Sequence, residues 1–127
     1  MNGKMTNKFF FDTYALVEIA KSNPNYEKYK EGIGILTNKL NLMEFAYFLI
    51  REKRENEINE FFKMLSRFNV DYDNEILIEA VKMKFKFNHE KLSFIECIGY
   101  HLAKKHNTKF LTGDEKFRNK ENVEFIK

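Results

Sequence analysis

Short apolar runs that alternate with stretches of helical periodicity constrain this chain more than any other feature. The runs lie at residues 8–12, 109–112 and 123–126, with 33–37 a further strand or an extended loop. Between them, apolar positions recur at three- and four-residue spacing. That pattern predicts helices over 13–21, 26–31, 39–54, 57–68, 73–87 and 93–106, and one helical turn at 114–117. In 57–68 the repeat is carried by Ile58, Phe61, Phe62, Leu65 and Phe68. In 73–87 it turns Ile76, Leu77, Ala80, Val81 and Met83 inward, behind an Asp73 cap. Pro24 separates the first two helices, because the residue before a proline is pushed out of the helical region, and Gly32-Ile33-Gly34 marks another break. Strands delivered between helices imply an α/β sandwich of three layers, a short central parallel sheet flanked by helices.

A chain of 127 residues is expected to form a single domain spanning 1–127, long enough to bury a core without disulfides. Its hydrophobic content of 43%, with 14 Phe, argues against disorder. The lone cysteine, Cys97, cannot form an internal disulfide; a reducing, cytoplasmic setting and a buried structural thiol are expected. The early apolar run Phe9-Phe10-Phe11 is too short for a signal peptide or a membrane span. The net charge of +3 is compatible with a polyanionic partner without requiring one. His89, His101 and His106 are too irregularly spaced for a zinc site. Phe and Tyr exceed what one small core accommodates, which suggests a dimer or partner surface. Phe45, Tyr47 and Phe48 are candidates for it, with core packing the alternative.

Four acidic residues stand apart from the solvated majority. Asp12 closes the first apolar run and opens a helix, and Asp114 repeats that arrangement after Phe110-Leu111-Thr112-Gly113. Each is a plausible N-cap, contributing about 1 kcal/mol. Each also sits at the carboxyl end of a strand, where open α/β sheets bind ligands. Glu44 is the only charge between Leu40 and Ile50, in a helix so apolar that burial is expected. Glu96 shares its helix face with Leu92, Gly99 and Ala103, small neighbours that leave room for a ligand or for another helix. Carboxylates gathered in one place repel unless a proton or a cation intervenes. An oxygen-only donor set favours Mg²⁺ or Mn²⁺ over zinc, the chemistry of phosphate-ester hydrolysis.

The order and spacing of these acids resemble the PIN-domain ribonucleases. Phe10-Phe11-Asp12-Thr13-Tyr14-Ala15-Leu16 is similar to that family's opening motif, and Leu42-Met43-Glu44-Phe45 to its second. Leu92-Ser93-Phe94-Ile95-Glu96-Cys97 resembles the third, with a Ser three residues before the acid. Phe110-Leu111-Thr112-Gly113-Asp114-Glu115-Lys116-Phe117 resembles the fourth. The subgroup most similar is the VapC-like toxins of type II toxin–antitoxin pairs. The resemblance implies a PIN-like fold and a Mg²⁺- or Mn²⁺-dependent endoribonuclease that homodimerises and is inhibited by a cognate antitoxin. It makes Asp12, Glu44, Glu96 and Asp114 catalytic metal ligands, with Thr13, Ser93 and Thr112 beside them to orient ligands or the attacking water.

Two departures from the pattern bear on the metal count. The third acid is commonly Asp, and here it is Glu96, one methylene longer. Some members carry a further Asp two residues after the fourth acid, where this chain has Lys116. Lys116 and Arg118 are candidate contacts for RNA phosphates, with solvent-exposed residues after a turn as the plain alternative. Other readings are a catalytically weak PIN-like RNA- or protein-binding module, or a phosphatase using Asp12 as nucleophile. The phosphatase reading calls for a second Asp close behind the first, which Asp12-Thr13-Tyr14 lacks.

Overall fold

The computed structural model describes residues 7–127, so residues 1–6 of the expected domain lie outside the described residues. Strands β1 (Lys8–Phe11), β2 (Gly34–Leu36), β3 (Lys109–Thr112) and β4 (Val123–Phe125) form one parallel sheet in the order β2-β1-β3-β4. Among the described residues five α-helices surround it: α1 (Thr13–Ala20), α2 (Lys39–Arg51), α3 (Ile58–Leu65), α4 (Asn74–Lys86) and α5 (Phe94–Lys105). The expected three-layer α/β sandwich is what the chain adopts.

The consecutive apolar residues of β1 follow from this layering. A parallel strand is covered on both faces, so its inward and outward side chains must both be apolar. Phe10 pairs in register with Phe110 and stacks on its ring, 6.1 Å between centroids; both enter a core completed by Ile76, Ala80 and Met83 of α4 and by α5. Phe11 pairs with Leu111, and these two face the opposite core, with Ala15 and Leu16 of α1, Leu42, Phe45 and Leu49 of α2, and Tyr26 and Tyr29. Gly99 is the point of closest approach between α5 and the sheet. A Cβ there would stand 2.9 Å from the Phe10 ring and 3.1 Å from that of Phe110, so its smallness serves helix–sheet packing rather than a ligand.

Local differences from expectation have local causes. The segment expected as a helix over 26–31 is a 3-10 segment, Pro24–Tyr29, started by Asn23, whose side chain accepts the Asn25 amide. The helix expected over 57–68 is α3 followed by a 3-10 turn, Ser66–Phe68, and α2 stops at Arg51 rather than 54. Leu77 and Val81, expected to face inward, are exposed, while Ile76, Ala80 and Met83 hold the core side. Phe45 is core, whereas Tyr47 is exposed. Cys97 is fully buried, and burial followed by the charge of Glu96 pushes its thiol up to about 11, the setting of an inert thiol. Among the described residues no helix is long and apolar enough to cross a membrane.

This topology selects one edge of the sheet. The chain leaves β1 toward β2 on one side and leaves β3 toward β4 on the other, so the carboxyl ends of the two central strands flank a switch point. Connections that diverge there open the crevice in which α/β sheets hold their ligands.

Candidate active site

Asp12 continues β1 by one residue, its amide donating to the Leu111 carbonyl at 3.1 Å. It precedes α1 as the N-cap residue, yet its side chain makes no capping bond. Instead Oδ2 accepts from the Thr112 hydroxyl at 2.9 Å, across the seam between the central strands. The carboxyl group is 3% exposed. Burial, reinforced by the charge of Glu96, raises its pKa to about 7; Thr112 and the Thr13 amide pull the other way, and Glu44 adds a smaller upward push. A purely structural cap would not need such a setting.

Thr112 joins two of the acids. Its oxygen donates to Asp12 and accepts the Asp114 amide at 3.2 Å. Asp114 does cap its turn, Oδ1 taking the Lys116 amide at 3.0 Å, while Oδ2 faces the Lys116 ammonium at 3.3 Å. Burial acts upward on Asp114 as well, but the Lys116 amide and the adjacent Glu96 hold its pKa below the ordinary value. Replacing Thr112 by Val keeps the shape and removes the donor, stranding a buried oxygen. The expected loss is about 1–3 kcal/mol at pH 7.5, read from urea unfolding.

Glu96 reaches the same place from α5. Ser93 and Glu96 form a reciprocal capping box, the Ser93 amide donating to Glu96 Oε1 at 2.8 Å and the Glu96 amide to Ser93 Oγ at 3.0 Å. The Ser-x-x-Glu spacing is a visible signature of that device and fixes where the carboxylate points. Lys116 Nζ lies 3.6 Å from Glu96 Oε1. Burial raises the pKa of Glu96, with the Ser93 amide opposing and Asp114 adding.

Glu44 is half-buried rather than fully buried, because Met43, Tyr47 and Ile50 of the same helix are exposed. Its Oε1 accepts from the Thr13 hydroxyl at 2.6 Å, and Asn41 Nδ2 donates to that hydroxyl at 3.0 Å. Asn41, buried and one turn before Glu44, went unanticipated; its only signal was a polar residue sharing the face of the acid at i−3.

Glu96 and Asp114 are thus neighbours bridged by Lys116, Asp12 is tied to that pair through Thr112 and the field of Glu96, and Glu44 stands on the far side of Thr13. Among the described residues no three acidic, His or Cys side chains are grouped closely enough to enclose an ion in this conformation. Arg118 points elsewhere, forked onto Glu115 by two 2.8 Å bonds and lying over the Phe125 ring. The side chains gathered at Asp12 offer carboxylate and hydroxyl oxygens, and among the described residues no ion pair reaches the Asp12 carboxylate itself. That donor chemistry fits a hard divalent ion.

The comparisons with known proteins agree with this architecture. No curated protein matches the sequence. A toxin–antitoxin complex from Klebsiella pneumoniae is similar in structure, with TM-score 0.72, 18% identity, and coverage of 91% of this chain and 94% of that one. VapBC2 from Rickettsia felis, bound to a DNA fragment from its promoter, gives TM-score 0.68 at 16% identity, covering 94% and 99%. PAE2754 from Pyrobaculum aerophilum gives 0.66 at 18%, covering 93% and 90%. At these identities the likeness is one of fold. The PIN domain family model matches residues 9–123, nearly the whole chain. The chain therefore belongs to the PIN domain family, whose members are nucleases that generally use a divalent metal.

Proposed function

We propose that this chain is a single PIN domain acting as a metal-dependent endoribonuclease, the toxin of a type II toxin–antitoxin pair. The observation that carries the reading is the buried Asp12 carboxylate at the switch point, tied through Thr112 to Asp114, with Glu96 joined to Asp114 by Lys116 and Glu44 reaching the same end of the sheet through Thr13. Asp12, Glu44, Glu96 and Asp114 would hold Mg²⁺ or Mn²⁺. When bound, such an ion supplies charge neutralisation at a phosphoryl oxygen and a water acidic enough to attack phosphorus in line. The chain's own residues do the positioning. Thr112 aims Asp12 and sets the start of the Asp114 turn, Thr13 with Asn41 steadies Glu44, and the Ser93 box holds Glu96.

Attack by water predicts the ends of the products. Cleaved RNA should carry linear phosphate monoester and hydroxyl ends, read by end-labelling and phosphatase sensitivity. A 2′,3′-cyclic phosphate would mean attack by the ribose hydroxyl and would overturn the hydrolytic reading.

The fold shared with a toxin–antitoxin complex from Klebsiella pneumoniae and with VapBC2 from Rickettsia felis supports an antitoxin partner. A groove of about 820 Å³ beside Glu44, lined by Tyr14, Val17, Met43, Tyr47 and Phe48, suits such a partner. For the proposed homodimer the stronger candidate is α4, where Ile78, Val81 and Phe85 form an exposed apolar stripe, Phe85 being 78% exposed. Phe85→Glu should convert a dimer to a monomer in sedimentation equilibrium, with monomer stability changed by less than about 0.5 kcal/mol. An RNA substrate and a lone buried thiol both suit a cytoplasmic setting.

A further inference from the structure

We infer that Lys116 is a resident cation of the acidic centre, holding Glu96 and Asp114 as a pair so that the centre takes a single divalent ion on its Asp12 side. The inference rests on the metal reading above and deepens it. Lys116 Nζ stands 3.3 Å from Asp114 Oδ2 and 3.6 Å from Glu96 Oε1. The placement is built rather than incidental. The Lys116 amide is bonded to Asp114 Oδ1, Phe117 anchors the turn in the core, and Lys120 Nζ grips the Lys116 carbonyl at 2.8 Å. Its cationic neighbours are committed elsewhere, Lys120 to Glu90 and Arg118 to Glu115. At 34% exposure the Lys116 side chain is partly withdrawn from water, so its charge is less screened than that of a surface lysine.

Charge decides the capacity of the site. Four carboxylates and one ammonium carry a formal −3, which one divalent ion brings to −1. A second ion would pass neutrality and would have to displace the ammonium from the two acids it bridges. Lys116 thus stands against one divalent ion while neutralising the acids on its own side.

The test is calorimetric titration of metal-free wild type, Lys116→Gln and Lys116→Arg with MnCl₂ at pH 7.5, with thermal unfolding of each protein with and without Mn²⁺. Wild type should bind a single Mn²⁺ per chain. Lys116→Gln should bind Mn²⁺ tighter by on the order of tenfold and gain more thermal stability from it, since the like charge beside Glu96 and Asp114 has gone. Lys116→Arg, which keeps the cation, should stay near wild type. Two Mn²⁺ per wild-type chain, or equal affinity in wild type and Lys116→Gln, would overturn the role of Lys116 and leave the metal reading standing. No Mn²⁺ binding by any of the three proteins would overturn both.

Discussion

Asp12→Asn should make the metal-free protein more stable at pH 7.5 while removing its nuclease activity. The folded protein holds the Asp12 proton up to about pH 7, whereas the free side chain releases it near 3.8. Below pH 3.8 both states are protonated and the residue contributes nothing to the difference. Between 3.8 and about 7 the unfolded chain gives up a proton that the folded chain keeps, so wild-type stability falls as pH rises. Above that window the whole penalty of a buried, unpaired carboxylate is present. Asparagine carries no such penalty and still accepts the Thr112 hydroxyl bond. The gap between variant and wild type should therefore open from near zero at pH 4 to on the order of 3 kcal/mol at pH 7.5, measured by urea unfolding in EDTA. Cleavage should drop by more than the roughly 100-fold that loss of an outer-sphere partner causes. A variant less stable than wild type at pH 7.5 would mean that the Asp12 charge is already compensated in the metal-free fold.

Gly113→Ala should be the most damaging of the small substitutions. A Cβ at 113 would fall 2.2 Å from the Ile126 carbonyl oxygen and 2.5 Å from the Tyr14 ring. The ring can turn aside. The carbonyl cannot easily move, because it accepts the Tyr26 hydroxyl bond and its residue donates to the Thr112 carbonyl beside β4. Relief requires shifting the link between β3 and Asp114, which also moves a proposed ligand. Loss of about 3 kcal/mol or more is expected, with cleavage falling alongside, by urea unfolding and initial rates. Wild-type stability for Gly113→Ala would show that the turn yields at no cost.

What could be read in advance, and what could not, divides along physical lines. β1 and β3 were legible because a strand covered on both faces must be apolar at successive positions. The Asp73 cap and the start of a helix at Ser93 were legible because the hydrogen bonds that begin a helix are local. The inward face of α4 was only partly legible. Periodicity marks Ile76, Leu77, Ala80, Val81 and Met83 equally, and only the packing of α4 against α5 chooses among them. The same limit applied to Glu44, whose helix looked buried all round but exposes Met43, Tyr47 and Ile50. Around the acids, the likeness of Asp12 and Asp114 was visible as strand-then-Asp, yet only three-dimensional contact separates them: Asp114 caps its turn and Asp12 does not. Lys116 was the hardest to foresee. A lysine after a turn is ordinarily solvated, and its inward direction depends on the Asp114–Lys116 amide bond and on Glu96 arriving from a distant helix.

The most direct test of the account is cleavage of an end-labelled RNA by purified protein in Mn²⁺, in EDTA, and by the Asp12→Asn variant in Mn²⁺. Cleavage by wild type in Mn²⁺, with none in EDTA and none by Asp12→Asn, is the predicted result. Cleavage that persists in EDTA, or that Asp12→Asn carries out at the wild-type rate, would contradict it.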